Sequence, residues 1–469
     1  MKKKLLVLPQ TDNLKITTNI GGNKLKKSND KKLYLGVFEK VESAITKAIY
    51  AQKQLNLYYK KEDRERLINS IRKATLENKE TLSKMILDET HMGRYEDKIL
   101  KHELVAKYTP GTEDLTTTAW SGDQGLTLVE MSPYGVIGAI TPSTNPTETV
   151  ICNSIGMIAA GNAVVFNGHP GAKKSVAFAV DMINKAIITS NGPENLVTTV
   201  ENPTMESLNV IMKHPYIKFL CGTGGPGLIK TLLNSGKKAI GAGAGNPPVI
   251  VDDSADIKKA AKNIIEGCSF DNNLPCIAEK EVFVFENVAN DLIDNMLENH
   301  VVLLNKNQVS RLLDLVLEKN DENSEYTINK KWVGKDAKLF LDKIGVKAPD
   351  NVRCIICEVD ANHPFVMTEL MMPILPIVRV KDIDNAIECA KMAEQRKRHS
   401  AYMYSKNIDN LNRFEKEIDT TIFVKNAKSF AGVGFGAEGF TTFTIAGPTG
   451  EGITSARNFT RQRRCVLAG

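Results

Sequence analysis

Nowhere in its 469 residues does the chain carry an uninterrupted apolar stretch long enough to cross a bilayer. The nearest candidate, residues 150–166, is broken by Asn153, Gly156, Gly161 and Asn162. The start, Met1-Lys-Lys-Lys-Leu-Leu-Val-Leu-Pro9, has a positive region but too short an apolar one for a signal peptide. Long basic runs are also missing, and a net charge of +6 is mild for this length, so neither nucleic acid nor membrane is an expected partner. Metal chemistry lacks its ligands. Cys354-Ile-Ile-Cys357 fits a C-x-x-C spacing, but no second pair and no nearby histidine pair completes a zinc set. Residues 352–359 read as a strand, so this pair is expected in the core and no metal is expected. The eight cysteines are scattered, which suits a reducing, cytoplasmic setting.

With 42% hydrophobic and 25% charged residues, the chain reads as a globular protein of two or three domains. Residues 1–35 mix Lys, Asn, Thr and Gly around Pro9 and Gly21-Gly22 and look like a loosely held arm. From 39 to 108, apolar residues recur at three and four, as in Val41, Ile45, Ala48 and Ile49, which predicts amphipathic helices. Two strands follow, Leu126-Thr-Leu-Val-Glu-Met131 and Gly135-Val-Ile-Gly-Ala-Ile140. Short apolar strands then alternate with amphipathic stretches up to about residue 241, and a second alternation runs from 249 to about 425. That pattern predicts α/β architecture, with parallel sheets covered by helices on both faces.

Two glycine motifs stand out. Gly222-Thr-Gly-Gly-Pro-Gly227 matches G-x-G-x-x-G after a strand and before a helix, the context a dinucleotide fingerprint requires, although no acidic residue follows at the usual distance to hold a ribose. Gly434-Phe-Gly-Ala-Glu-Gly439 matches as well and reads better as a loop or turn.

The residue that carries most chemistry is Cys276. It follows Pro275 after the polar Asp271-Asn272-Asn273 and precedes the apolar Glu281-Val-Phe-Val-Phe-Glu286. A thiolate here can add to an aldehyde, and once hydride leaves for a nicotinamide the product is an enzyme thioester. Cys268 is the rival nucleophile. Together with Gly241-Ala-Gly-Ala-Gly-Asn-Pro-Pro-Val-Ile-Val-Asp-Asp253, the Cys276 segment resembles the paired signature of the aldehyde dehydrogenase superfamily. In hydrolytic members the first segment begins with a glutamate that activates water, and a gapless match places Ala242 there. Water attacks a thioester slowly without a base, a contribution of about 10² to 10⁴ in rate, whereas a free thiol is already partly ionised near neutral pH. From about residue 40 to the end, the chain is therefore similar to the coenzyme A-acylating branch, the fermentative acetaldehyde, propanal and butanal dehydrogenases.

That resemblance implies a Rossmann-type cofactor domain over 36–242, with an oligomerisation hairpin at 113–134. It further implies a catalytic domain over 243–438, a C-terminal oligomerisation segment over 439–469, and a homodimer or homotetramer. It implies NAD as cofactor and coenzyme A as cosubstrate, with acyl-CoA and aldehyde as the small-molecule partners and butyryl-CoA favoured. In Ile140-Thr-Pro-Ser-Thr-Asn-Pro146, Thr141, Pro142 and Ser143 would meet the cofactor, and either Thr144 or Asn145 would hold the oxyanion, Asn145 being preferred; the plainer reading is an Asn-Pro turn. Asn167, Gly168 and Pro170 stand where relatives grip the adenosine ribose with lysine and glutamate, and the missing glutamate leaves room for NADP. Gly222, Thr223 and Gly227 would meet the pyrophosphate, with Gly243 nearby. Glu369, in Phe365-Val-Met-Thr-Glu-Leu-Met-Met-Pro373, would bind the nicotinamide ribose beside Met371. His363 would contact coenzyme A or cap a turn. Arg457, Arg461, Arg463 and Arg464 would meet coenzyme A phosphates or, in the plainer reading, flank a strand exchanged between subunits. Related microcompartment enzymes carry an N-terminal targeting helix; Pro9 and its neighbours would break one, so a free cytoplasmic enzyme is expected. A hydrolytic aldehyde dehydrogenase and a non-catalytic protein that has kept the fold are the alternatives.

Overall fold

The computed structural model describes residues 34–319 and 326–469; the expected arm and the stretch around Pro9 lie almost wholly outside them. Three helices open the described chain: α1 (Val41–Tyr58), α2 (Lys61–Thr90) and α3 (Tyr95–Tyr108). On α1, Val41, Ala44, Ile45, Ala48, Ala51 and Leu55 are buried, the three-and-four spacing that makes one apolar stripe. α4 (Pro146–Ala159) is different, being buried along its whole length. Pro146 at its first turn, where an N–H would lack a partner anyway, fixes where it starts.

Two sheets make the frame. The first has six strands in the order Val37–Phe38, Val197–Val200, Ala163–Asn167, Val136–Ile140, Ile217–Thr223, Lys238–Ala242, all parallel. The second has seven, in the order Val301–Leu304, Cys354–Glu358, Ile374–Val380, Glu281–Phe285, Pro248–Val251, Ser400–Tyr404, Ile422–Lys425, also all parallel. Their central strands are buried throughout, as sheets covered on both faces require. In such sheets ligands bind beyond the carboxyl ends of the strands, and Thr141, Asn167 and Thr223 all sit there.

A third, antiparallel sheet joins Thr118–Gly122, Gly125–Pro133 and Thr460–Ala468. Thr460–Ala468 pairs with Gly125–Pro133 of the same chain along its full length. The arginines follow that pairing. Arg463 ion-pairs with Glu130 at 2.7 Å, Arg464 lies over Trp120 at 5.9 Å, and Arg457 pairs with Asp114 at 3.4 Å. Among the described residues no helix is long and apolar enough to cross a membrane, and no cluster of His, Cys, Asp or Glu could hold a metal.

Candidate active site

Cys276 sits at the end of a loop with unusual backbone. Asp271, Asn272 and Asn273 are all left-handed, with φ of 47°, 54° and 65°. Asp and Asn tolerate that region better than other side chains, yet three in a row need outside support. They have it. Asn272 Nδ2 donates to Gly334 O at 2.9 Å, and Asn273 Nδ2 donates to Cys268 O at 2.8 Å and Glu279 O at 3.0 Å. Asp271 Oδ1 accepts from the Arg94 N–H at 2.8 Å. From beneath, the buried Lys280 Nζ donates to Asn273 O at 2.9 Å, Asn273 Oδ1 at 2.6 Å and Pro275 O at 3.4 Å. Tyr402 O–H closes the far side by donating to Ile277 O.

Cys276 lies half-buried on the wall of a cavity of about 940 Å³ between the two large sheets. Burial, and then the nearby Glu369 carboxylate, push its thiol up to about 12, against a smaller downward pull from Lys280 and backbone N–H groups. Cys268 is not on this wall. It is fully buried, 3.8 Å from the Cys354 sulfur, so the rival belongs to the core. Cys357, three residues on, packs in a different core cluster from Cys354, because residues three apart in a strand face opposite sides. The C-x-x-C pair is core packing.

The same cavity brings together Thr141, Pro142, Ser143, Thr144, Asn145, Asn167, Gly168, Pro170, Thr223, Gly243, Glu369 and Met371. Gly222 and Gly227 are not on its wall. A Cβ at Gly222 would press on Leu232 Cδ1, and Gly224, Gly225 and Leu228 line the cavity beside Thr223. Ala242 is buried at the end of its strand and does not line the cavity either; Gly243 and Ala244 do. His363 caps a turn, its Nδ1 accepting from the Phe365 N–H at 3.2 Å, and it lies outside this cavity. Gly434 and Gly439 meet back to back in a turn, both at positive φ.

Asn145 is buried, and its Oδ1 accepts a hydrogen bond from Lys101 Nζ at 2.7 Å. An ammonium only donates, so the carbonyl end of this amide faces Lys101, and Nδ2 is the end left to donate elsewhere. Its one partner among the described residues, Thr144 Oγ1, is distant at 3.4 Å. Thr141 Oγ1 is buried on the cavity side of the first sheet without a partner among the described residues. Together with the open backbone at Gly225, that orphaned hydroxyl fits a polar ligand that itself supplies hydrogen-bonding groups, as a dinucleotide does. Glu369 accepts from the Gly245 N–H; burial raises its carboxyl, while Lys280 and Lys397 pull it down. Glu89, the other carboxylate on the wall, is engaged by the N–H groups of Lys174 and Ser175 and by the Ser175 hydroxyl.

Four side chains here carried no reading from the sequence. Lys101 is buried on α3, within the stretch predicted as amphipathic helices. Lys330 and Lys331, both exposed, stand on the cavity wall and bring cations to it. His399 lies behind Gly245, beside the Cys276 carbonyl, and burial together with Lys280 and Lys397 lowers it to about 3, so its imidazole is neutral.

Comparison with known proteins finds relatives along nearly the whole chain. The model of the aldehyde dehydrogenase family matches residues 28–441. The chain is 45% identical over 434 residues to an acetylating acetaldehyde dehydrogenase of Salmonella typhimurium, covering 92% of each. It is 47% identical over 436 residues to a CoA-propanoylating propanal dehydrogenase of the same organism, again covering 92% of each. Among solved structures, it is similar to a propionaldehyde dehydrogenase from a Clostridium phytofermentans fucose utilisation microcompartment, with 53% identity and a TM-score of 0.90 over 92% of this chain and 98% of that one. A Rhodopseudomonas palustris propionaldehyde dehydrogenase, solved with bound CoA and an acylated cysteine, shares 50% identity at a TM-score of 0.89 over 92% and 98% of the two chains. With a family model matching residues 28–441 and relatives of this identity along nearly all of its length, the chain belongs to the aldehyde dehydrogenase family.

Proposed function

We propose that the chain is a CoA-acylating aldehyde dehydrogenase, interconverting a short-chain acyl-CoA with the aldehyde and free CoA through a thioester on Cys276. The carrying observation is the chemistry of the wall around that thiol. It offers a nucleophile and an amide donor at Asn145, and of the two carboxylates on the wall Glu369 accepts from the Gly245 N–H and stands where the nicotinamide ribose is expected, while Glu89 is engaged by Lys174 and Ser175. A thiol needs less help than water to attack a thioester, so acyl transfer to CoA proceeds where hydrolysis stalls.

In the reducing direction, Cys276 Sγ bonds to the acyl carbon and the CoA thiol leaves. Asn145 Nδ2 and the Cys276 N–H hold the carbonyl oxygen as negative charge builds on it; losing one such donor commonly costs about 10² to 10³ in rate. A nicotinamide held here, NADH in our reading with NADPH also possible, would supply the hydride; the S–C bond to Cys276 then breaks, freeing the aldehyde and returning the thiol. Glu369 and Met371 would hold the cofactor's ribose end, and Thr141, Asn167, Gly168 and Thr223 its remainder. Leu274, Ile277, Phe430, Val433 and Phe443 line the same cavity and give an alkyl chain an apolar wall, in keeping with butyryl-CoA as the favoured substrate. Lys330 and Lys331 offer cations to the phosphates of CoA. The exposed sheet containing Thr460–Ala468 supports assembly into dimers or tetramers, and eight free thiols suit a reducing cytoplasm.

The test is direct. Purified protein is given acetyl-, propionyl- and butyryl-CoA with NADH or NADPH, and nucleotide oxidation and thiol release are followed together. We expect both signals in equal amounts, largest with butyryl-CoA and NADH. Acid formation from aldehyde at the same rate without CoA would favour a hydrolytic enzyme instead.

A further inference from the structure

Lys101 has no exposed surface at all. Burying an ammonium is costly unless it is paired and hydrogen-bonded, so its partners show what it is for. They come from three parts of the chain. Nζ donates to Asn145 Oδ1 at 2.7 Å, and ion-pairs with Glu148 Oε1 at 2.9 Å and Asp271 Oδ2 at 2.6 Å. Asn145 is the residue that leads into α4, Glu148 stands in the first turn of that helix, and Asp271 opens the left-handed loop that ends at Cys276. One cation thus joins the two segments whose spacing decides whether an acyl group on the sulfur meets the amide.

The remaining neighbours leave the charge on Lys101. Lys98, also fully buried, reaches Asp271 at 3.1 Å, but burial lowers its pKa, with Asp271 opposing. Burial works against Lys101 too, yet Asp271 and Glu148 outweigh it and raise its pKa. His102 is lowered by burial, and its Nε2 lies 2.8 Å from Thr147 Oγ1. Of the groups around it, only Lys101 meets both an acid of the nucleophile loop and the Asn145 amide.

We infer that Lys101 is a positioning residue for acyl transfer: its ammonium turns the Asn145 amide so that Nδ2 meets the acyl oxygen, and sets that donor at a fixed distance from the Cys276 loop. The inference rests on the reading of Asn145 as oxyanion donor. A neutral or shorter side chain at 101 would let the amide rotate, presenting its carbonyl to a developing oxyanion. The plainer role, neutralising Asp271 and Glu148 for stability, makes a different prediction, because its loss would act on folding and not through Asn145.

A double-mutant cycle separates the two. Wild type, Lys101→Met, Asn145→Ala and the double variant are compared for kcat and KM of acyl-CoA reduction, with thermal melting as a control. Asn145→Ala should lower kcat by about 10² or more. Lys101→Met should lower it about tenfold or more at nearly unchanged KM, and by less than about twofold once Asn145 is already Ala. If the two effects multiply, or Lys101→Met leaves kcat intact, the inference is overturned. If Asn145→Ala alone leaves kcat intact, the oxyanion reading fails instead. Should Lys101→Met prove insoluble, Lys101→Arg keeps the charge between Asp271 and Glu148, and the same cycle is read with it.

Discussion

Raising the pH should awaken Cys276 in the free enzyme, and the size of the effect follows from its surroundings. Burial and then Glu369 push the thiol up to about 12. At pH 7 that leaves a thiolate fraction of about 10⁻⁵, against a few per cent for an ordinary thiol of pKa near 8.5. Alkylation of Cys276 by iodoacetamide, followed on its peptide by mass spectrometry, should therefore climb about tenfold per pH unit from 7 to 11 without levelling off. The neighbours tune this in opposite directions. Glu369→Gln removes a repulsion on the thiolate and should speed alkylation at any pH in that window. Lys280→Met removes an attraction and should slow it. A plateau below about pH 9, or slower alkylation in Glu369→Gln, would show that the thiol is not held protonated by burial and Glu369, and the reasoning would fail.

Other outcomes follow from the same structure. Lys330→Glu combined with Lys331→Glu should raise KM for acyl-CoA about tenfold or more and leave kcat near wild type, and the penalty should shrink for the dephospho-CoA thioester; equal penalties for both substrates would remove these lysines from phosphate recognition. Ala242→Glu should bring no CoA-independent acid formation, because position 242 is off the cavity wall; burying a carboxylate there should instead cost about 2 kcal/mol or more in a denaturation experiment. Glu148 is fully buried, and although burial opposes its charge, Lys101, His102 and Lys98 hold it down to about 2. Its folded pKa is depressed, so its contribution is present above the unfolded value near 4.5 and is lost as pH falls towards 2. Glu148→Gln should therefore be less stable than wild type by about 3 kcal/mol at pH 7, with the gap narrowing in acid; a gap independent of pH would contradict this.

The local patterns made much of the frame legible, and what they missed has a common cause. Strand alternation located the strands at 136–140 and 281–285, because each is a short apolar run bounded by turn residues. The polar loop before Cys276 marked it off from Cys268, whose burial against Cys354 depends on a contact 86 residues away in the chain. On α3 the spacing predicts an amphipathic helix without saying which charges turn inward, and Asp97, Lys98, Lys101 and His102 are all buried. A signal was present, since 97 and 101, and 98 and 102, are four apart and lie on one side of a helix; only the acids of 148 and 271 reveal that this side faces inward. Gly222 fits a cofactor motif by its spacing, and in the structure a Cβ there would press on the end of the Leu232 side chain.

The central claim is an acyl group carried on Cys276. The protein is incubated with butyryl-CoA in the absence of nicotinamide, digested, and its cysteine peptides are weighed, while released CoA thiol is titrated in parallel. The account predicts a butyryl adduct confined to the Cys276 peptide, matched by released thiol and abolished in Cys276→Ala. An adduct on Cys268, or catalytic turnover with no adduct on Cys276 at any time, would contradict it.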